Sequence, residues 1–191
     1  MGTSPATVKL RRQTACRGSR HGTQATAGLS ILLFLLAWSG GCREHRPLEP
    51  LTNTYPSNHA LAQAVLDALS AADYDRLATL ALNGQEFRDV VWPELPSSNP
   101  DRGLPVSYAW NDLNQKSTNG LRRLLARWGG HTFELLDVTF DGETTEYESF
   151  RVHRETRLTL RDTDGEELDV HFFGSTLVRN GNYKVFSYVV D

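Results

Sequence analysis

Cysteine is scarce in this 191-residue chain: there are two, Cys16 and Cys42. Both precede the part that reads as folded. No disulfide within that part, and no cysteine-based metal site, is therefore available to it. Acidic residues are absent before Glu44, whereas Lys9, Arg11, Arg12, Arg17 and Arg20 all lie there. The chain carries 20 Lys+Arg and 23 Asp+Glu, so the part after Cys42 holds 15 basic and 23 acidic residues, a net charge of −8. A domain so acidic has no electrostatic reason to seek phosphates, which argues against a nucleic-acid partner. Also absent are a serine-nucleophile elbow, a phosphate loop, a His-x-x-Glu-His pair and a dinucleotide fingerprint. No catalytic set and no cofactor is expected on these grounds. Nor does any apolar run reach the roughly 20 residues that a membrane-crossing helix needs.

What is present at the front is a basic segment, then the apolar run Leu29–Trp38, then small residues ending in Cys42. That is the layout of a secretory leader. "Ser39-Gly40-Gly41-Cys42" resembles the lipobox of bacterial lipoproteins, with Ser39 standing where that family usually carries Leu. The resemblance implies that the Cys42 thiol is acylated, that residues 1–41 are cut away, and that palmitate-like chains hold the protein to a membrane. Each buried methylene contributes about 0.8 kcal/mol to such an anchor. Arg43, rather than Asp, after the cysteine implies the outer membrane of the cell envelope, facing the periplasm. Residues 42–56, with three prolines between Arg43 and Pro56 and no apolar period, read as a tether.

Residues 57–191 read as one α+β domain. Leu61, Val65, Ala68 and Leu69 recur at helical spacing behind Ser57/Asn58 as a cap. A second helix starts at Asp73, carries Leu77, Leu80 and Ala81 inward, and stops at Asn83-Gly84. A third, short helix holds Phe87, Val90 and Val91 and ends at Trp92-Pro93. A proline-rich loop over 93–105 follows. Trp110, Leu113, Leu121, Leu124, Leu125 and Trp128 then form one stripe, with Gly120 and Ser117-Thr118-Asn119 predicting a break in the middle. Arg122, Arg123 and Arg127 fall on its solvated side.

From His131 the period becomes two, predicting four antiparallel strands. The first covers 132–140, with a bulge where the phase changes between Leu135 and Leu136. The second covers 149–161 and the third 167–179, joined by an Asp-Thr-Asp-Gly turn that lacks the later ligands of a calcium loop. The fourth covers 183–190, after an Asn180-Gly181 hairpin. With Asn180-Gly181 as the loop, Val178 faces Tyr183, Thr176 faces Val185 and Phe172 faces Val189, and across the earlier turn matching apolar to apolar pairs Leu160 with Leu168, Leu158 with Val170 and Phe150 with Val178. This register sets Arg154 beside Gly174 on the core face.

Helices followed by a curved four-stranded antiparallel sheet, together with the phrase "ALAQAVLDALSAADYDRLATLAL", resemble the nuclear transport factor 2-like superfamily, which includes the ketosteroid isomerase-like enzymes. The resemblance implies a bent sheet wrapping a long helix around a cone-shaped pocket. It implies no activity. The isomerase acid and base find no counterpart in this sequence, and Asp137, the strand-one acid nearest the expected pocket, falls on the outer face.

Four groups of residues invite functional readings. Arg154, a core-facing cation, needs either a helix acid such as Asp89 or Glu86 or a ligand carboxylate. Trp110 and Tyr108, with Trp92 and Trp128, either line a pocket mouth or fill the core. Phe173, Leu177, Phe186 and Tyr188 share the outer face of strands three and four, a patch that is either covered by the tether or forms a homodimer or partner contact. His153 and His171 sit on that face too far apart for one metal ion, and His131 complements a helix C-terminus. The resulting expectation is a lipid-anchored extracytoplasmic module that binds a small ligand or another protein without catalysis. Its alternatives are an enzyme using the cone on a small anionic substrate and a subunit of an envelope assembly.

Overall fold

The computed structural model describes residues 50–189. The leader, Cys42 and the tether up to residue 49 lie outside the described residues, as do Val190 and Asp191. Among the described residues no helix is long and apolar enough to cross a membrane.

Helix α1 (Asn58–Ser70) begins where Ser57 accepts a bond from the Ala60 amide, and its expected stripe is fully buried. Helix α2 (Tyr74–Leu80) begins at Asp73, whose carboxylate accepts from the Arg76 amide. Asn83 is not a stop. Its side chain accepts from the amides of Gln85 and Glu86, and Glu86 returns a bond to the Asn83 amide, a capping box that opens α3 (Gly84–Glu86). A π turn (Phe87–Val91) continues it. Three 3-10 turns follow, at Trp92–Glu94, Pro96–Ser98 and Pro100–Arg102. Pro93 does not terminate the coil, because it stands at the start of a new turn where no amide hydrogen is needed.

Helix α4 (Val106–Trp128) is continuous over 23 residues, contrary to the predicted break. The residues that weaken its middle mark a crossing point. Ser117 Oγ accepts from the Tyr188 amide at 3.0 Å, and a Cβ on Gly120 would fall 1.8 Å from the Tyr188 carbonyl oxygen. Small and polar residues are there because another backbone passes over them, not because the helix ends.

The strands form two antiparallel sheets rather than one of four strands. Strands β1 (Glu134–Phe140), β4 (Thr156–Arg161) and β5 (Glu167–Val170) make the first, in the order β1-β4-β5. Strands β2 (Thr144–Glu146), β3 (Arg151–His153), β6 (Ser175–Arg179) and β7 (Asn182–Ser187) make the second, in the order β2-β3-β6-β7. The bulge after Leu135 is present. The expected second strand is cut at Arg154-Glu155, where Glu155 takes φ +53, and the expected third is cut over 171–174. Because these cuts face each other, the register changes across them. Leu158↔Val170 and Leu160↔Leu168 pair as expected, but Val178 faces Arg151 rather than Phe150. Val178↔Tyr183 and Thr176↔Val185 also stand, around a hairpin in which Asn180 and Gly181 both have positive φ, as a type I′ turn requires. A shift between Ser175 and Thr176 then sets Ser175 opposite Ser187, so the Phe172–Val189 pairing does not form.

Two hydrophobic clusters result. The first joins the inner faces of α1 and α2 to Leu121, Leu124, Val138, Leu158, Leu160, Val185 and Tyr188. The second joins Leu82, Phe87, Val90 and Val91 to Phe150, Val152 and Leu177. The expected outer patch does not exist as a free surface. Phe173 and Tyr188 are buried in the first cluster, Leu177 in the second, and Phe186 is half-buried beside it. Val152, Leu177 and Phe186 of the second sheet pack against the irregular segment after α2 and the first half of α4, while Val185 packs into the first cluster with α1 and α2.

The fold also begins before the expected boundary at residue 57. Tyr55 and Tyr183 exchange backbone hydrogen bonds of 2.9 and 2.7 Å, and Leu51 packs against the second cluster.

Candidate ligand groove

Lys184 and Arg179 are buried cations, and Arg154 is not. Lys184 is fully buried, donates to the Thr52 carbonyl at 2.6 Å and lies 3.5 Å from Glu86 Oε2. Burial pushes its ammonium pKa below the ordinary lysine range, and Glu86 opposes that shift. Glu86 is satisfied from several sides: it also accepts from the Thr52 amide at 2.7 Å and the Thr52 hydroxyl at 3.0 Å. The helix acid suspected of holding a buried cation does hold one, contributed by β7. Strand alternation carried the signal, since Lys184 shares its phase with Phe186 and Tyr188. A covered face on that side of the sheet requires a partner for the lysine.

Arg154 is exposed, and its orientation toward the core is thereby corrected. The cut in the strand turns it out of the pleat. Its amide donates to the Glu143 carbonyl rather than to the partner strand. Neither Asp89 nor Glu86 reaches it, and among the described residues its guanidinium forms no ion pair. It does line a groove of about 680 Å³ between α4 and the second sheet. That size lies inside the range of about 300–1,000 Å³ typical of small-molecule sites.

The groove has two kinds of wall. One is the unfinished flank of the second cluster: Leu95, Leu113, Tyr147, Val152 and Phe186. The other is polar and comes from the paired cuts in the sheets, which deliver Arg154, Glu155, His171 and Ser175. The cuts are tied together by the Thr156 amide, which donates to the Gly174 carbonyl at 3.0 Å. They are also tied by His171, whose Nδ1 lies 3.1 Å from the Thr156 carbonyl. A carbonyl can only accept, so Nδ1 carries the hydrogen and Nε2 is left toward Asp141, 3.9 Å away. Asp141 is already engaged by Arg157 at 3.0 Å. At the α4 edge, Lys116 and Asp112 neutralise one another at 2.8 Å.

The aromatic candidates separate. Trp110 is half-buried against Phe87, with ring centroids 5.4 Å apart, and lines a second, smaller cavity of about 60 Å³. Tyr108 is 64% exposed and lines neither cavity. Trp92 packs on Phe87, and Trp128 on Phe133 and Phe172, so both serve the core. His131 Nδ1 meets the Trp128 carbonyl at 3.2 Å at the end of α4. His153 stacks flat on Phe140 with centroids 4.2 Å apart, and burial followed by the Arg151 charge lowers its pKa. The Asp162 carboxylate accepts from the amides of Asp164 and Glu166, which makes that segment a hairpin turn. Among the described residues no group of three His, Cys, Asp or Glu is placed to hold a metal ion.

The groove was legible only in part. Arg154 could be singled out as a cation without an evident partner, but Tyr147, His171 and Ser175 come together only because both strands are interrupted. Comparison with protein-family models, with curated proteins and with solved structures finds no match to this chain.

Proposed function

We propose that this chain is a lipid-anchored, extracytoplasmic binding module that holds a small ligand in the groove between α4 and the second sheet. The observation that carries the binding reading is the groove itself, with an apolar wall on one side and a cluster of polar side chains on the other. That combination orients a ligand as well as burying it. The order of elements, helices first and then antiparallel strands against a 23-residue helix, supports kinship with the nuclear transport factor 2-like fold. The anchor reading rests on the basic segment, the short apolar run and "Ser39-Gly40-Gly41-Cys42". Through Cys42 the protein is tethered to the envelope, and the groove samples the space beside the membrane.

Two experiments test this. Metabolic labelling with palmitate marks the wild-type chain and not Cys42→Ser, and mass spectrometry finds residues 1–41 removed; a mature chain that keeps its leader ends the anchor reading. Substituting Ser175→Trp fills the groove and abolishes capture of small molecules from envelope extract while the fold persists. Undiminished capture by that variant moves the site elsewhere. Saturable turnover that is lost in Arg154→Ala, with folding intact, converts the module into an enzyme.

A further inference from the structure

We infer that the groove recognises an amphipathic carboxylate, its anionic head on Arg154 and its apolar body along Leu113, Tyr147, Val152 and Phe186. This rests on the binding reading above and names the ligand class for the same site. The two ends of the groove have separate structural origins. The apolar wall belongs to the second hydrophobic cluster, where Tyr147, Leu113 and Phe186 are covered on one side only. Half-covered apolar side chains facing a cavity gain from a hydrocarbon body that completes their burial. The polar end sits at the paired interruptions of the strands, where main-chain groups are already bonded across the cut.

The charged groups lining the groove differ in the ligand each favours. Lys116 is engaged by Asp112 at 2.8 Å, so neither is available without breaking an existing pair. His171 uses Nδ1 on the Thr156 carbonyl and presents Nε2 toward Asp141. Glu155 forms no ion pair among the described residues and opposes an anion close to it. Arg154 is the cation there without an ion pair among the described residues. Its planar guanidinium matches a carboxylate through two parallel hydrogen bonds. Ser175, also in the lining, offers a hydroxyl donor to the head group. Glu155 stands against doubly charged heads and favours a single carboxylate.

The test uses the full chain, titrated calorimetrically with hexanoate, octanoate and decanoate and with the alcohols of the same lengths. Octanoate is expected to bind about tenfold more tightly than octanol, and Arg154→Gln to remove that advantage while leaving octanol unchanged. Glu155→Gln is expected to hold or improve octanoate binding. If acids and alcohols bind alike, or if Arg154→Gln alters neither, the carboxylate inference fails and the groove reading survives. A loss of octanoate binding in Glu155→Gln also overturns it, because removing a like charge cannot weaken a carboxylate held on Arg154. If no member of either series binds the wild-type chain, the inference and the groove reading fall together. Circular dichroism of both variants, each substituted at an exposed side chain, verifies that folding is retained.

Discussion

The first hydrophobic cluster is assembled from regular elements, and the second is not. In the first, α1 lays a continuous apolar stripe on β1 and β7, and α2 closes against α1 and α4, with Leu61, Leu69, Leu77, Leu158 and Leu160 fully buried. In the second, a π turn and three 3-10 turns carry the chain across the face of the sheet, and many of its apolar residues remain half-covered. A helix repeats its apolar face every few residues, so it fills space continuously. Short turns punctuated by Pro93, Pro96 and Pro100 present side chains one at a time, and one flank of the cluster is left as the wall of a groove. The irregular segment is nevertheless tied down. Glu94 accepts from the Ser149 amide at 3.0 Å, and Glu86 and Lys184 form their buried pair. The proposed binding groove lies where packing is unfinished but its surroundings are held.

The comparison can be broken most directly at its tightest contact. Gly120→Val places methyl groups against the Tyr188 backbone and is expected to cost more than about 3 kcal/mol, enough to unfold a marginal domain in a urea titration. At Gly84, in the irregular region, an added Cβ meets the edge of the Trp110 ring at 3.0 Å. A half-buried side chain can yield where a backbone cannot, so Gly84→Ala is expected to cost about 1 kcal/mol. Equal losses would mean that the two regions are packed alike.

Truncation of single leucines sharpens the same contrast. Leu158→Ala, in the closed cluster, is expected to cost about 3 kcal/mol, and Leu113→Ala, at the groove wall, about 1 kcal/mol, measured as shifts in the urea midpoint.

Alkaline pH is the next probe. The Tyr188 hydroxyl donates to the Leu77 carbonyl at 2.8 Å, and burial, with a smaller contribution from Tyr55, pushes its pKa well above the ordinary tyrosine value. Above about pH 10 the unfolded chain loses this proton and the folded chain keeps it, so rising pH favours unfolding. Stability is expected to fall there by about 1.4 kcal/mol per pH unit from this group alone, and Tyr188→Phe to flatten the slope by one proton. Lys184 acts in the opposite sense at lower pH. Its lowered pKa makes its burial less costly as pH rises toward the ordinary lysine value, a gain that Lys184→Met removes.

The caps give effects of similarly small size. Ser57→Ala removes one bond at the start of α1 and is expected to cost about 1 kcal/mol. Asn83→Ala removes two bonds at the start of the irregular segment and is expected to cost somewhat more, about 1–2 kcal/mol, with faster amide exchange over residues 84–91.

The parts of the fold that could be read in advance share a property: their determinants are local. The stripe of α1, the Ser57 and Asp73 caps, the Leu135 bulge and the Asn180-Gly181 hairpin each depend on residues within a few positions of one another. The misreadings have non-local causes. Gly120 and Ser117 suggest a helix break until the Tyr188 backbone is seen crossing them. Phe173, Leu177 and Tyr188 suggest an exposed patch until a second layer covers their sheet. Arg154 has the alternation of a core residue until the cut at Glu155 rotates it outward.

By itself, the sequence determined the class of the fold, the principal caps and turns, and the pairing of β4 with β5 and of β6 with β7. Those follow from periodicity and from the φ preferences of single residues. Only the tertiary structure decided that the strands divide into two sheets, that Lys184 is a buried cation while Arg154 is exposed, and that a groove opens beside α4. Each of these depends on segments distant along the chain competing for the same face, and such competition leaves no trace in local pattern.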